Sequence, residues 1–170
     1  MDHPFTYREV GATAAAQLPP GYRHLEHRVQ LAGTDLAAVA EALLTWRMHR
    51  AAGLRVAASA PRAAVGVRVR QVLGVGPVGF VAPCQVVWVV AESDRVGFGY
   101  GTLPGHPVRG EESFLVSQDP DGQLWFTVRA FSRPGRWFTK LAGPAGGLVQ
   151  RLMARRYAAA MRRLTRVTRP

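Results

Sequence analysis

"RVGFGYGTLPGHPVRGEESF", residues 95 to 114, is two extended segments joined by a turn rich in proline and glycine. Side chains alternate along a strand, so Val96, Phe98, Tyr100 and Thr102 share one face while Gly97, Gly99 and Gly101 share the other. Glycine weakens a strand, and three in register mean that something comes close to the backbone, whether a packed element, a bend or a ligand. In "LPGHPVRG" the Pro104-Gly105 pair suits a type II turn, and His106 is held between two prolines. A histidine so restricted is presented rigidly, which makes it a candidate functional group.

Glu111 and Glu112 follow, and as neighbours in a strand they point to opposite faces. If "DPDG" closes the next hairpin with a bulged turn, Phe114 and Val116 share a face with Leu124, Phe126 and Val128, and Glu112 joins them. Glu111 then accompanies Ser113 and Ser117 on the other, solvated face. A buried charge costs on the order of several kcal/mol unless it is paired. Glu112 is therefore expected to meet Arg47 or another arginine, and it is the strongest single site candidate.

Outward from this stretch the chain divides cleanly. "HLEHRVQL" alternates, with Leu25, His27, Val29 and Leu31 on one face. From Thr34 to Ala52 the period becomes helical, with Leu36, Val39, Leu43 and Trp46 recurring at three and four; Thr34 or Asp35 caps the start and Gly53 ends it. "LRVAAS", "VGVRVRQVL", "CQVVWVVAE", "RVGFGYGT", "EESFLVSQ" and "QLWFTVRAFS" read as about six strands, with "ESDR" and "DPDG" as antiparallel hairpin turns. The last third is one long helix whose apolar stripe is read as Leu148, Val149, Leu152, Met153, Tyr157, Ala160 and Leu164. Strand, helix, antiparallel meander and terminal helix is the order of an α+β helix-grip domain, a curved antiparallel sheet around a long C-terminal helix, spanning residues 1–170 as a single domain. A ferredoxin-like fold needs two crossover helices between strands, and one is visible.

Composition bounds function more loosely. Of 170 residues, 48% are hydrophobic and 19% charged, with 22 Lys+Arg against 11 Asp+Glu, a formal net charge of +11. That excess makes nucleic acid or an anionic membrane a candidate partner, with a footprint at Arg151, Arg155, Arg156, Arg162, Arg163, Arg166 and Arg169. The basic residues are arginines apart from Lys140, which a biased genomic composition would also produce. "MDHPFTYREV" lacks a basic start and an apolar core, so a soluble cytoplasmic protein is expected. The lone Cys84 in "APCQVVWVV" reads as a buried, inert thiol. "GVGPVG" at 74 to 79 matches a dinucleotide pattern but runs into Pro83 and β-branched residues rather than a helix, so it reads as a strand connection. His24 and His27, three apart in a strand, face opposite ways and do not make a metal pair. Neither metal nor cofactor is expected.

Taken together, "GYRHLEHRV", "ALLTWRMHRAAGL", "LGVGP", "GFGYGTLPGHPVRGEESF", "AFSRPGRW" and "RRYAAAMRRL" resemble a bacterial and plant family known by a domain-of-unknown-function label. The similarity runs from about Tyr7 to Leu164, and "GTLPGHP" followed by "GEE" is its specific element. That family is grouped with START-like and pollen-allergen-like helix-grip proteins, so the resemblance implies the same fold and an enclosed apolar ligand. It supplies no catalytic residues.

The leading expectation is a domain that binds an apolar or amphipathic small molecule between sheet and C-terminal helix. Tyr100, His106, Glu112, Arg47 and His49 are the expected polar contacts and Trp46 part of the apolar wall. Two alternatives stay open: an enzyme using His106 or Glu112 as general acid or base, and a basic surface for nucleic acid or anionic lipid.

Overall fold

Alternation and turn chemistry produce a seven-stranded antiparallel sheet in the order β1-β7-β6-β5-β4-β3-β2. The computed structural model describes residues 4–75, 78–135 and 145–167. The strands are β1 (Arg23–Gln30), β2 (Arg55–Ala58), β3 (Arg68–Val75), β4 (Val78–Ala91), β5 (Arg95–Thr102), β6 (Val108–Gln118) and β7 (Leu124–Pro134). Helices α1 (Leu36–Leu44) and α2 (Arg47–Ala51) follow β1, and α3 (Ala145–Val167) ends the order. This is the expected helix-grip arrangement, with all three helices on the concave side. "GVGPVG" belongs to the β3–β4 hairpin, where Gly74 pairs with Gly79; Gly76 and Pro77 lie outside the described residues. No helix among the described residues is long and apolar enough to cross a membrane.

The concave face carries the core. Phe98, Phe114, Phe126 and Val128 from the sheet meet Leu43, Trp46 and Met48 from the first helices and Ala154, Tyr157 and Met161 from α3. The β6–β7 register sets Phe114 opposite Val128 and Val116 opposite Phe126, so Glu112, opposite Ala130, shares that face as the turn chemistry predicts.

Two helical expectations change. The helix read over Thr34 to Ala52 is broken: Trp46 takes a left-handed backbone with φ 64°, which costs a non-glycine residue about 1–2 kcal/mol. Full burial of its indole, whose Nε1–H donates to Ala60 O at 3.2 Å, offsets that strain. The break resets the helical phase, so Met48 and His49 turn inward and Arg47 outward. The start of the helix keeps its cap, Asp35 accepting from Ala38 N–H at 3.0 Å. On α3, Tyr157, Ala160 and Met161 are buried, but Leu148, Val149 and Leu152 are 67%, 53% and 54% exposed. Leu152 and Tyr157 lie five residues apart, about 140° around an α-helix, so the stripe read from the sequence merged two faces.

The convex face is covered too. Residues 4–22, which have no period, lie across it as a strap around the short 3₁₀ turn Ala12–Ala14. Glu111 holds them: its carboxylate accepts from Tyr7 Oη–H (2.7 Å), Gly11 N–H (2.7 Å), Thr13 N–H (2.8 Å) and the Thr13 hydroxyl. The Thr13 hydroxyl also accepts from Trp88 Nε1–H at 2.9 Å, so its own proton goes to Glu111. Arg129 adds bonds to Ala15 O and, at 2.7 Å, Ala16 O. Glu111, expected in solvent, is thus 3% exposed, because the strap shields the face that strand alternation assigned to water.

Two of the three glycines of β5, Gly99 and Gly101, seat this layer. A Cβ at Gly99 would collide with the Trp88 indole and the Thr13 hydroxyl, one at Gly101 with the Tyr7 hydroxyl, and one at Gly97 with the β6 backbone at Phe114 and Leu115. A shift in register between Val86 and Trp88 in β4 marks a bulge, which turns Trp88 onto the strap while Val86 stays in the core. Of the three readings of the glycine face, close packing is the one realised.

Two outcomes follow for stability, each read by thermal or urea unfolding. Glu111→Gln sets amide protons against donors and is expected to cost about 2–4 kcal/mol. Gly99→Ala is expected to cost about 1–3 kcal/mol through overpacking against Trp88 and Thr13. Parent-like unfolding of Glu111→Gln would mean that the strap is held by something else.

Candidate functional site

Between the concave face and the N-terminal half of α3, where Leu148, Val149 and Leu152 are not packed into the core, lies a cavity of about 370 Å³. Val149, Met153 and Tyr157 line it from the helix, and Ala82, Cys84, Val108 and Ala130 from the sheet, with Leu54 and Phe80 completing the apolar wall. Side chains that alternate inward along β3, β5 and β6 bring polar groups into it. Gln71 comes from β3, Tyr100 from β5 and Glu112 from β6, and Tyr157 reaches in from α3.

Tyr100 and Glu112 are cross-strand partners, and Tyr100 Oη–H donates to Glu112 Oε2 at 2.9 Å. No arginine among the described residues pairs with Glu112. Burial raises its carboxyl from an ordinary 4.5 to about 7, and the bond from Tyr100 offsets only part of that rise. Burial, then the nearby Glu112, keeps the Tyr100 and Tyr157 hydroxyls protonated far above their usual range. Gln71, 5% exposed, lies beside the Tyr100 hydroxyl, yet its Nε2 has no hydrogen-bond partner among the described residues. Burial likewise pushes up the Cys84 thiol, away from the reactive thiolate.

Of the six side chains singled out in the sequence, Tyr100, His106 and Glu112 line this cavity. His106 sits at its rim after the Leu103-Pro104-Gly105-His106 turn, closed by His106 N–H to Leu103 O at 3.1 Å with Gly105 at φ 97°. Its Nδ1 faces the Val108 backbone, 3.0 Å from the carbonyl oxygen and 3.1 Å from the N–H, and burial lowers its pKa to about 4. The other three lie elsewhere. Arg47 is exposed, on the far side of the break at Trp46. Trp46 and His49 stand behind the cavity in an aromatic cluster, where the His49 ring lies 5.0 Å from Phe114, 5.4 Å from Tyr157 and 6.0 Å from Tyr100. Both His49 ring nitrogens are buried without a partner among the described residues, and burial, helped by Arg50, lowers the ring to about 3.

Gln71 and Tyr157 were missed. A glutamine among Val67 and Val69 on the inward face of an alternating strand was a legible signal. So was a tyrosine in a helical core stripe, whose hydroxyl must be accommodated.

Arginines of the basic footprint are partly engaged in the fold: Arg162 donates to Gln30 O at 3.2 Å and Arg163 to Ala51 O at 2.8 Å. Arg169 lies outside the described residues. His24 is exposed and His27 half-buried, on opposite faces of β1.

The same architecture occurs in solved structures. A hypothetical protein from Helicobacter pylori superposes with a TM-score of 0.65 at 12% identity, over 86% of this chain and 88% of that one. Norcoclaurine synthase from Thalictrum flavum, in complex with dopamine and hydroxybenzaldehyde, superposes at 0.59 and 12% identity over 100% and 99%. A major latex-like protein from Panax ginseng does so at 0.52 and 14% identity over 85% and 97%. These likenesses concern the fold alone. In sequence, a UPF0548 protein of Deinococcus radiodurans is 53% identical over 74 residues, 44% of this chain and 37% of that protein. A UPF0548 protein of Arabidopsis thaliana is 38% identical over 80 residues, 43% of this chain and 38% of that protein. The aligned stretches thus span well under half of these curated relatives. The family model for DUF1990, a domain of unknown function, matches residues 6–160, and the chain belongs to that family.

Proposed function

We propose that this domain binds an apolar or amphipathic small molecule in the cavity between the sheet and α3. The observation that carries the reading is the contrast inside the cavity. Most of its wall is aliphatic and aromatic, while Gln71, Tyr100, Glu112 and Tyr157 gather in one polar group on neighbouring elements, apart from His106 and the mutually bonded Gln150 and Ser132. Such a division suits a ligand whose body is held by apolar burial and whose orientation is set by a few polar contacts. The helix-grip fold supports it, since norcoclaurine synthase, built on the same fold, is found in complex with dopamine and hydroxybenzaldehyde.

Native mass spectrometry of the protein purified from its own host is the direct test, with a retained small molecule as the expected result. Uptake of an environment-sensitive apolar fluorophore gives a second readout. Ala82 lines the cavity opposite Gln71, and Ala82→Phe is expected to fill the space and weaken uptake at least about tenfold, at a cost of about 1–3 kcal/mol in stability. A folded Ala82→Phe protein that takes up the probe as the parent does would overturn the assignment to this cavity.

Glu112 supplies a pH signature. Its folded pKa lies above its unfolded one, so the folded state binds the proton more tightly, and stability falls as pH rises from about 4.5 through about 7. Glu112→Gln removes that dependence. Relative to the parent it is expected to be close to neutral near pH 4 and more stable by on the order of 1–3 kcal/mol at pH 8. The imidazoles of His49 and His106 titrate in both proteins and cancel in the difference. A flat difference between the two unfolding curves from pH 5 to pH 8 would show that Glu112 stays ionised throughout.

A further inference from the structure

We infer that the ligand of this cavity carries a protonated amine, whose N–H groups meet the open carboxylate oxygen of Glu112. This rests on the cavity being the ligand site and goes further, to the ligand's charge. Glu112 is half-buried and lines the cavity. Its Oε2 accepts from Tyr100 Oη–H at 2.9 Å. Its Oε1 has no hydrogen-bond partner among the described residues, and it is not one of the polar atoms sealed away from the surface, so its lone pairs open on the cavity.

No cation among the described residues answers that oxygen. The chain has 22 Lys+Arg against 11 Asp+Glu, so basic side chains are plentiful, yet burial and the bond from Tyr100 alone set the proton affinity of Glu112. The titratable groups around it are Tyr100 from β5, Tyr157 from α3 and Cys84 from β4, all kept protonated and neutral by burial. His106 at the rim and His49 behind the cavity lose their charge above about 4 and about 3. Gln71 from β3 is uncharged, and β7 sets Ala130 opposite Glu112. The proton donated by Tyr100 favours the ionised carboxyl, and burial favours the neutral acid. An ammonium entering the cavity tips that balance, because it brings opposite charge and hydrogen-bond donors together in a dry site. A ligand carboxylate or phosphate would stand against Glu112, and a plain hydrocarbon would leave Oε1 unanswered.

A matched set of probes tests this. 2-Naphthylmethylamine, 2-ethylnaphthalene and 2-naphthylacetate share one ring system and end in an ammonium, a methyl and a carboxylate. Affinities are measured by calorimetry on the full chain at pH 8, for the parent and for Glu112→Gln, which keeps the shape of the side chain. The parent is expected to bind the amine about tenfold more tightly than the hydrocarbon, and Glu112→Gln to erase that preference. Proton counting gives an independent reading on the parent alone. At pH 6, below the value of about 7 that burial gives Glu112, binding of the amine is expected to release most of a proton, and binding of the hydrocarbon none. Equal affinities for amine and hydrocarbon at pH 8, an amine preference that survives in Glu112→Gln, or amine binding at pH 6 without proton release would overturn the inference while leaving the cavity as a binding site. Tightest binding of the carboxylate would overturn it in favour of an anionic ligand. Binding of none of the three would defeat the cavity reading itself.

Discussion

The carboxylate of Glu111 is the point on which the two-sided organisation of this domain depends. A curved sheet with helices on one face leaves its other face to water, yet here that face is covered by a segment without regular secondary structure. Such a segment has no hydrogen-bond ladder of its own, so its backbone amides must find acceptors elsewhere. Glu111 offers them: two backbone N–H groups and two hydroxyls converge on its two oxygens. Gly99 and Gly101 of β5 make the close approach possible, and the bulge in β4 supplies Trp88 to complete the layer.

The pair Glu111 and Glu112 shows how far environment separates chemically identical neighbours. One is surrounded by donors and ties down backbone. The other, one residue later, faces an apolar cavity with a single phenolic donor, and its proton affinity rises accordingly. Glu111 serves the fold on the convex side and Glu112 offers chemistry on the concave side, so the two roles of the β6 strand do not compete for the same side chain.

Much of this was legible in the sequence, where period and punctuation carried the information. The strands, their hairpins, the inward position of Glu112 and the rigid turn at His106 follow from alternation and from proline and glycine placement. What was not legible depended on contacts distant in sequence. The strap has no period to read, so the burial of Glu111 left no local trace. The break at Trp46 is a tertiary event: burying a large indole outweighed the helical continuity that residues 34 to 52 favour, and it took Arg47 away from the cavity. At α3 the periodicity itself was ambiguous, since Leu148 and Leu152 sit at helical spacing from one another but on a different face from Tyr157.

The two edges of the sheet, β1 and β2, bear on how chains of this kind meet one another. An open sheet presents unpaired backbone groups at each end, and a long, flat, apolar edge invites another chain to add a strand. Here β2 is four residues long, and β1 displays Arg23, His24, Glu26 and Arg28 as exposed side chains. A second molecule aligning along β1 would have to bring its own backbone alongside a row of charges, and along β2 it would find too few hydrogen bonds to repay the loss of freedom. The sheet can thus remain open at both ends, as a cavity-forming curve requires, without becoming a template for intermolecular strand addition.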